Sequence, residues 1–148
     1  MTRKERAMEL FESGYNCSQA VALAYADILD IDESSLAKLS LSFGGGLGRM
    51  REVCGAVSGM AMVLGLLYGT DEPGAGKAEH YARVQELAKK YEAENGSIVC
   101  RELLKLNDGV HSAPEPEART PEYYKKRPCN QLVGYAAEIL DEYIKNQE

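Results

Sequence analysis

The stretch that decides the fold is residues 54–68, Cys54-Gly55-Ala56-Val57-Ser58-Gly59-Met60-Ala61-Met62-Val63-Leu64-Gly65-Leu66-Leu67-Tyr68. It has no charged side chain and lacks the alternation of apolar and polar residues that is typical of a half-buried strand, so it predicts a buried central helix. It falls short of the roughly 20 residues that a bilayer span needs. Small residues at Gly55, Ser58 and Gly59 would let another helix approach closely, either within the chain or across a homodimer interface.

Helical periodicity also dominates the sequence on both sides of this stretch. Apolar residues recur at helical spacing, and caps such as Asn16 mark where helices begin. The expected helical segments are residues 2–13, 17–29, 32–43, 54–68, 77–94, 97–104 and 128–144. Residues 107–121, which contain three prolines, predict a surface loop. We find no strand pairs or repeats, so residues 1–148 predict an all-α, single-domain helical bundle of about six to seven helices.

Composition excludes several classes of function. The chain has 17 Lys and Arg against 23 Asp and Glu, a formal charge of −6. This acidic balance argues against a nucleic-acid partner and against an anionic membrane surface, which both attract basic patches. The N-terminal residues lack the continuous apolar region of an export signal, so we expect a cytoplasmic protein. Thiols stay reduced there unless they are catalytic, redox-sensing or metal-bound, so the four cysteines need a chemical explanation.

The four cysteines fall at similar places in the predicted helices. Cys17 follows the Asn16 cap, while Cys54, Cys100 and Cys129 each lie in or near a first helical turn. Unpaired N–H groups and the helix dipole favour an anion at such positions, so these thiols should ionise readily and become nucleophiles or metal ligands. The alternative is that they are small buried hydrophobic residues whose positions coincide by chance.

The spacing of the cysteines requires a site that is assembled by the fold. No CxxC motif is present, which excludes the usual thioredoxin, zinc-knuckle and ferredoxin patterns. Four converging thiolates would suit an iron–sulfur cluster or zinc, whereas facing pairs would suit disulfide exchange. His80 and His111 are expected to be surface residues.

A glycine-rich segment precedes Cys54. Residues 44–48 read Gly-Gly-Gly-Leu-Gly, but the third glycine of a dinucleotide motif and the Gly-Lys-Ser/Thr of a phosphate loop are missing. The loop would instead let backbone pass close to a cofactor or a neighbouring helix. Arg49 and Arg51 either lower a thiol pKa or are solvated.

Five parts of the sequence together form a recognisable pattern: Gly14-Tyr15-Asn16-Cys17-Ser18-Gln19-Ala20-Val21, Phe43-Gly44-Gly45-Gly46, Cys54-Gly55-Ala56-Val57-Ser58-Gly59, Cys100 and Cys129. With these motifs the chain resembles the C_GCAxxG_C_C family of redox-active proteins. The resemblance covers almost the whole chain and implies a small helical bacterial or archaeal protein with redox chemistry. Within its CGAxxG element, Gly55 and Gly59 are candidates for binding a cofactor.

The leading hypothesis is a redox-active protein whose catalytic or metal-ligating residues are Cys17, Cys54, Cys100 and Cys129. Either these thiolates hold an iron–sulfur cluster or zinc for electron transfer or redox sensing, or they cycle between dithiol and disulfide with a redox partner protein. The rival hypothesis is a helical binding or scaffold protein with structural cysteines or a structural zinc. Whether the protein is an enzyme stays open at this point.

Overall fold

The computed structural model describes residues 1–106 and 112–148, and this part of the chain is mostly helical and has no strands beyond one isolated bridge. The helices are α1 (Arg3–Glu12), α2 (Cys17–Leu23), α3 (Glu33–Leu41), α4 (Gly55–Tyr68), α5 (Lys77–Asn95), α6 (Cys100–Leu103), α7 (Pro121–Lys126) and α8 (Cys129–Asn146). The all-α prediction is confirmed, with one helix more than expected in the described ranges. Residues 107–111 of the predicted loop, which include His111, lie outside these described ranges.

The central position of α4 is also confirmed. It packs against α2, α5 and α8, while α1 lies along α8. A Cβ on Gly59 would lie 2.9 Å from the Ser18 carbonyl oxygen and 2.9 Å from the Val21 Cβ, so the small-residue face of α4 packs against α2 within the chain. None of the helices in the two described ranges is long and apolar enough to cross a membrane.

The second helix is shorter than its periodicity predicted. α2 ends at Leu23 and a 3₁₀ turn, Ala26–Ile28, follows it. The Arg3 guanidinium donates a hydrogen bond to the Ala24 carbonyl at 2.8 Å, and the Tyr25 hydroxyl donates to the Ala137 carbonyl of α8 at 2.9 Å. These long-range hydrogen bonds stabilise the turn. Local periodicity contains no information about them, so it could not predict where the helix ends.

The segment around Cys100 also differs from the prediction. Only Cys100–Leu103 is helical, and Val99 instead forms an isolated antiparallel bridge with Val53. Cys54 N–H donates to the Ile98 carbonyl at 2.7 Å and Cys100 N–H donates to the Glu52 carbonyl at 2.6 Å. The bridge satisfies backbone groups that a longer helix would have paired internally.

Helix α7 was not predicted. The Thr120 side chain accepts a hydrogen bond from Tyr123 N–H at 3.2 Å, and Pro121 occupies the first turn. A threonine cap followed by proline is a recognisable helix start, but the nearby prolines and the short length of the helix concealed it.

Candidate functional site

All four cysteines lie at the starts of helices, as the sequence indicated. Cys17, Cys100 and Cys129 are the first residues of α2, α6 and α8, and Cys54 is the residue that caps α4. The four are free thiols, and they line a single cavity of about 410 Å³. The helix starts therefore bring the four predicted site residues to one place.

Two close backbone approaches assemble this cavity. The Val53–Val99 bridge holds the backbones of Cys54 and Cys100 beside each other. On the other side, a Cβ on Gly55 would lie 2.4 Å from the Cys17 sulfur. Only glycine leaves room at that position, so the sulfur of Cys17 can rest against the residue that follows Cys54.

Cys17 is electrostatically central among the thiols. A negative charge on Cys17 raises the pKa of Cys54, Cys100 and Cys129 alike, and it has the largest effect of any neighbouring charge on Cys54 and Cys129. Cys17 and Cys129 are both partly exposed, whereas Cys54 and Cys100 are 5% and 7% exposed. The structure thus places a partly exposed thiol, Cys17, in the same cavity as two buried thiols and a second partly exposed one.

Burial controls the protonation of the other three thiols. It raises the pKa of Cys54 and of Cys129 to about 12 and also raises that of Cys100. The expectation that a helix start would make these thiols ionise readily is therefore wrong for all three. The free energy needed to remove a thiolate from water exceeds the stabilisation that the helix start and nearby cations provide.

Two polar groups contact the buried sulfurs. The Tyr91 hydroxyl lies 3.3 Å from the Cys54 sulfur, and Nη1 of Arg51 lies 3.7 Å from the Cys100 sulfur. Both contacts favour the thiolate and oppose burial. Arg51 is only 9% exposed, so of its two expected roles the one beside a thiol is confirmed. Arg49 instead donates to the carbonyls of Ala113 and Glu115.

The glycine-rich loop is built for close approach, as expected. A Cβ on Gly44 would lie 2.3 Å from Nδ2 of Asn16, and one on Gly46 would lie 2.7 Å from the Cys100 Cβ. Of the two candidate cofactor glycines, Gly55 lines the cavity, whereas Gly59 lies against α2. Their role toward a cofactor stays a prediction.

The four thiols of the cavity would offer a metal an all-sulfur set of ligands, which suits zinc or an iron–sulfur cluster. Among residues 1–106 and 112–148, however, no three Cys, His, Asp or Glu side chains are grouped so that they could hold a metal ion. The four thiols of the described residues thus line one cavity without being grouped as metal ligands.

Several residues around the thiols were not predicted as site residues. Glu117 and Arg119 come from the predicted surface loop, while Tyr123 and Arg127 come from α7 and the residue that follows it. Tyr91 of α5, which contacts the Cys54 sulfur, was not singled out either. A partial signal existed, because Arg49 and Arg51 precede Cys54 and Arg127 precedes Cys129 by five residues or fewer.

An all-helical domain with four cysteines around one cavity defines the structural class of this protein. The family model described as "Putative redox-active protein (C_GCAxxG_C_C)" matches residues 15–143. The chain belongs to this family, which confirms the resemblance noted from its motifs. No curated protein and no solved structure matches the chain.

Proposed function

We propose that this protein carries out thiol–disulfide exchange, with Cys17 as the attacking thiol and Cys54 as the resolving thiol. The observation that carries the proposal is the position of Cys17, a partly exposed thiol beside three others on one cavity wall. Cys54 is preferred as its partner because the Cys17 sulfur rests against Gly55, the next residue after Cys54.

The proposed exchange takes place in two steps. The Cys17 thiolate attacks one sulfur of an external disulfide, so a mixed disulfide forms and the first external thiolate leaves. Cys54 then attacks the Cys17 sulfur, which forms the Cys17–Cys54 disulfide and releases the second external thiolate. The protons of Cys17 and Cys54 end on the two released thiols. The Tyr91 hydroxyl, 3.3 Å from the Cys54 sulfur, stabilises the charge that develops on Cys54.

A redox partner protein with a dithiol would return the disulfide to its reduced form by the same chemistry in reverse. Such a cycle suits the cytoplasm, where thiols are kept reduced. The proposal follows the dithiol version of the hypothesis, since the described donors are not grouped for a metal.

The test exposes the reduced protein to the uncharged disulfide bis(2-hydroxyethyl) disulfide and maps the products by mass spectrometry. The expected product of the native chain is the Cys17–Cys54 disulfide. Cys54→Ser should accumulate a mixed disulfide on Cys17, while Cys17→Ser should yield neither product. Cys100→Ser is the matched control, because it removes a thiol from the same cavity wall and should keep the product. Circular dichroism checks that each variant is folded.

A second candidate is favoured by the raised pKa values of Cys54, Cys100 and Cys129. Buried, protonated thiols are also what a helical scaffold protein with structural cysteines predicts. If all four thiols of the native protein resist the disulfide and react only after denaturation, the scaffold is correct and exchange is excluded. Iron, zinc and sulfide are measured on the same protein, prepared without oxygen. A stoichiometric metal in the native protein that is lost in Cys17→Ser would support the metal-site hypothesis and exclude thiol–disulfide exchange as the function.

A further inference from the structure

The wall of the four-cysteine cavity has a charge opposite to that of the whole chain. Its charged residues are Arg49, Arg51, Arg119, Arg127 and Glu117. Four arginines against one glutamate give the wall a formal charge of +3, in a chain whose formal charge is −6. A cleft of one sign focuses the electrostatic field and concentrates ligands of the other sign.

One carboxylate already lies among these guanidinium groups. Glu117 forms an ion pair with Arg127, whose side chain is 13% exposed. Arg127 lowers the pKa of Glu117 most, and the charges of Arg49 and Arg51 lower it further. The cavity is therefore organised to hold a carboxylate, which arginine recognises through paired hydrogen bonds.

The guanidinium groups and the thiols share the same wall. Arg51 contacts the Cys100 sulfur at 3.7 Å, and the charge of Arg127 acts on both Cys100 and Cys129. The remaining wall is largely apolar and includes Phe11 and Leu132. A ligand that fits this wall has negative charge, a compact apolar body and a group that thiols attack.

We propose that the cavity binds a small disulfide that carries carboxylates, held by Arg127 and Arg51 with its S–S bond presented to Cys17. This inference rests on the proposed function and names its substrate class. The substrate carboxylate replaces the Glu117 carboxylate at Arg127. The exchange then consumes one disulfide, produces two carboxylate-bearing thiols and leaves the Cys17–Cys54 disulfide in the protein.

The first test compares three small disulfides that differ in charge: dithiodiglycolate (anionic), bis(2-hydroxyethyl) disulfide (neutral) and cystamine (cationic). We expect the native protein to react with dithiodiglycolate about tenfold or more faster than with the neutral disulfide, and slowest with cystamine. Equal rates, or a preference for cystamine as the charge of the whole chain would favour, would overturn the inference.

Variants of the wall sharpen this test. Arg127→Gln and Arg51→Gln should each lower the ratio of the anionic to the neutral rate towards one. Glu117→Gln should raise the anionic rate, because it removes the internal competitor for Arg127. Arg83→Gln is the matched control, since Arg83 bonds to Tyr143 and His80 away from the cavity. If the Arg127 variant slows all three disulfides equally, the arginines act on the thiols and not on the substrate.

A second measurement separates this inference from the proposed function. Thiodiglycolate, the thioether analogue, has two carboxylates but no disulfide, so it binds without exchange. Titration calorimetry should detect its binding to the reduced native protein and to Cys17→Ser, with weaker binding to Arg127→Gln. Binding without any exchange would reject the proposed function alone, whereas exchange with the neutral disulfide but no thiodiglycolate binding would reject the anion site alone.

Discussion

At the level of single residues, the contact between Tyr91 and Cys54 opposes the effect of burial on the pKa of that thiol. Tyr91 is 0% exposed and Cys54 is 5% exposed, so water does not solvate the sulfur. Burial raises the pKa of Cys54, while the hydrogen bond with Tyr91 lowers it. A backbone hydrogen bond from Ala56 also lowers the pKa of Cys54, by less than Tyr91 does, so the hydroxyl is the main donor that opposes burial.

Tyr91→Phe should therefore raise the pKa of Cys54 further and slow its alkylation at alkaline pH. Tyr25→Phe is the matched control, because Tyr25 is equally buried but bonds to the Ala137 carbonyl at 2.9 Å. Each variant should lose about 0.5–1.5 kcal/mol of unfolding free energy with its hydrogen bond. Only Tyr91→Phe should change the Cys54 titration, followed by ultraviolet thiolate absorbance. If the titration of Cys54 is the same in Tyr91→Phe as in the native protein, Tyr91 does not stabilise the Cys54 thiolate.

The raised pKa values also predict how stability depends on pH. The unfolded chain releases thiol protons near pH 8.5, about the pKa of a free cysteine, whereas the folded chain keeps those of Cys54 and Cys129 up to about 12. The folded state thus binds more protons in this window, so the unfolding free energy should fall as pH rises from about 8.5 to 12. Urea unfolding of the reduced protein measures this dependence.

Cys129→Ser should flatten that pH dependence, because it removes one of the retained protons. The control is Gln131→Ser, an exposed position on the same helix, which should keep the slope of the native protein. A slope identical in both variants would mean that Cys129 ionises normally in the folded chain.

At the level of secondary structure, the close contact between α2 and α4 positions Cys17, the proposed attacking thiol. Cys17 opens α2, and the approach of α4 depends on glycines at the contact. A Cβ added at Gly59 would lie 2.9 Å from the Ser18 carbonyl oxygen and from the Val21 Cβ, whereas one added at Gly65 of the same helix would meet only Nε2 of His80, at 4.0 Å. The two glycines thus share a helix but differ in their surroundings.

Gly59→Ala should destabilise the protein, since overpacking costs about 1–3 kcal/mol. Gly65→Ala should instead stabilise it by about 0.5–1 kcal/mol, because alanine is the better helix former. Denaturant unfolding measures both changes. If both substitutions stabilise the protein, the helices can separate without cost and the close contact is not required.

At the level of the whole molecule, the local and overall charges predict opposite salt effects. The chain has a formal charge of −6, so salt would speed its reaction with an anion if the overall charge decided the encounter. If the arginine-lined cavity decides, salt should slow the reaction. We expect the rate with dithiodiglycolate to fall as ionic strength rises, while the rate with bis(2-hydroxyethyl) disulfide stays constant. Stopped-flow measurement of both rates over a range of sodium chloride concentrations shows whether salt slows or speeds the reaction with the anion.

The sequence by itself determined the helical fold, the central apolar helix and the family. Periodicity and caps are local properties, so α1, α4, α5 and α8 could be predicted within a few residues. The same patterns placed the four cysteines at helix starts. The early end of α2 and the Val53–Val99 bridge escaped prediction because their hydrogen bonds join residues that are distant in the chain.

Only the tertiary structure decided what surrounds the thiols. A helix start alone favours a thiolate, yet burial is set by every element packed around the sulfur, and it reversed the expected pKa shifts of Cys54, Cys100 and Cys129. The contact of Tyr91 with Cys54, like the meeting of Glu117 with the arginines, depends on segments far apart in sequence. Local patterns identify candidate site residues, whereas the solvation and the charge at the site depend on every element of the fold that surrounds them.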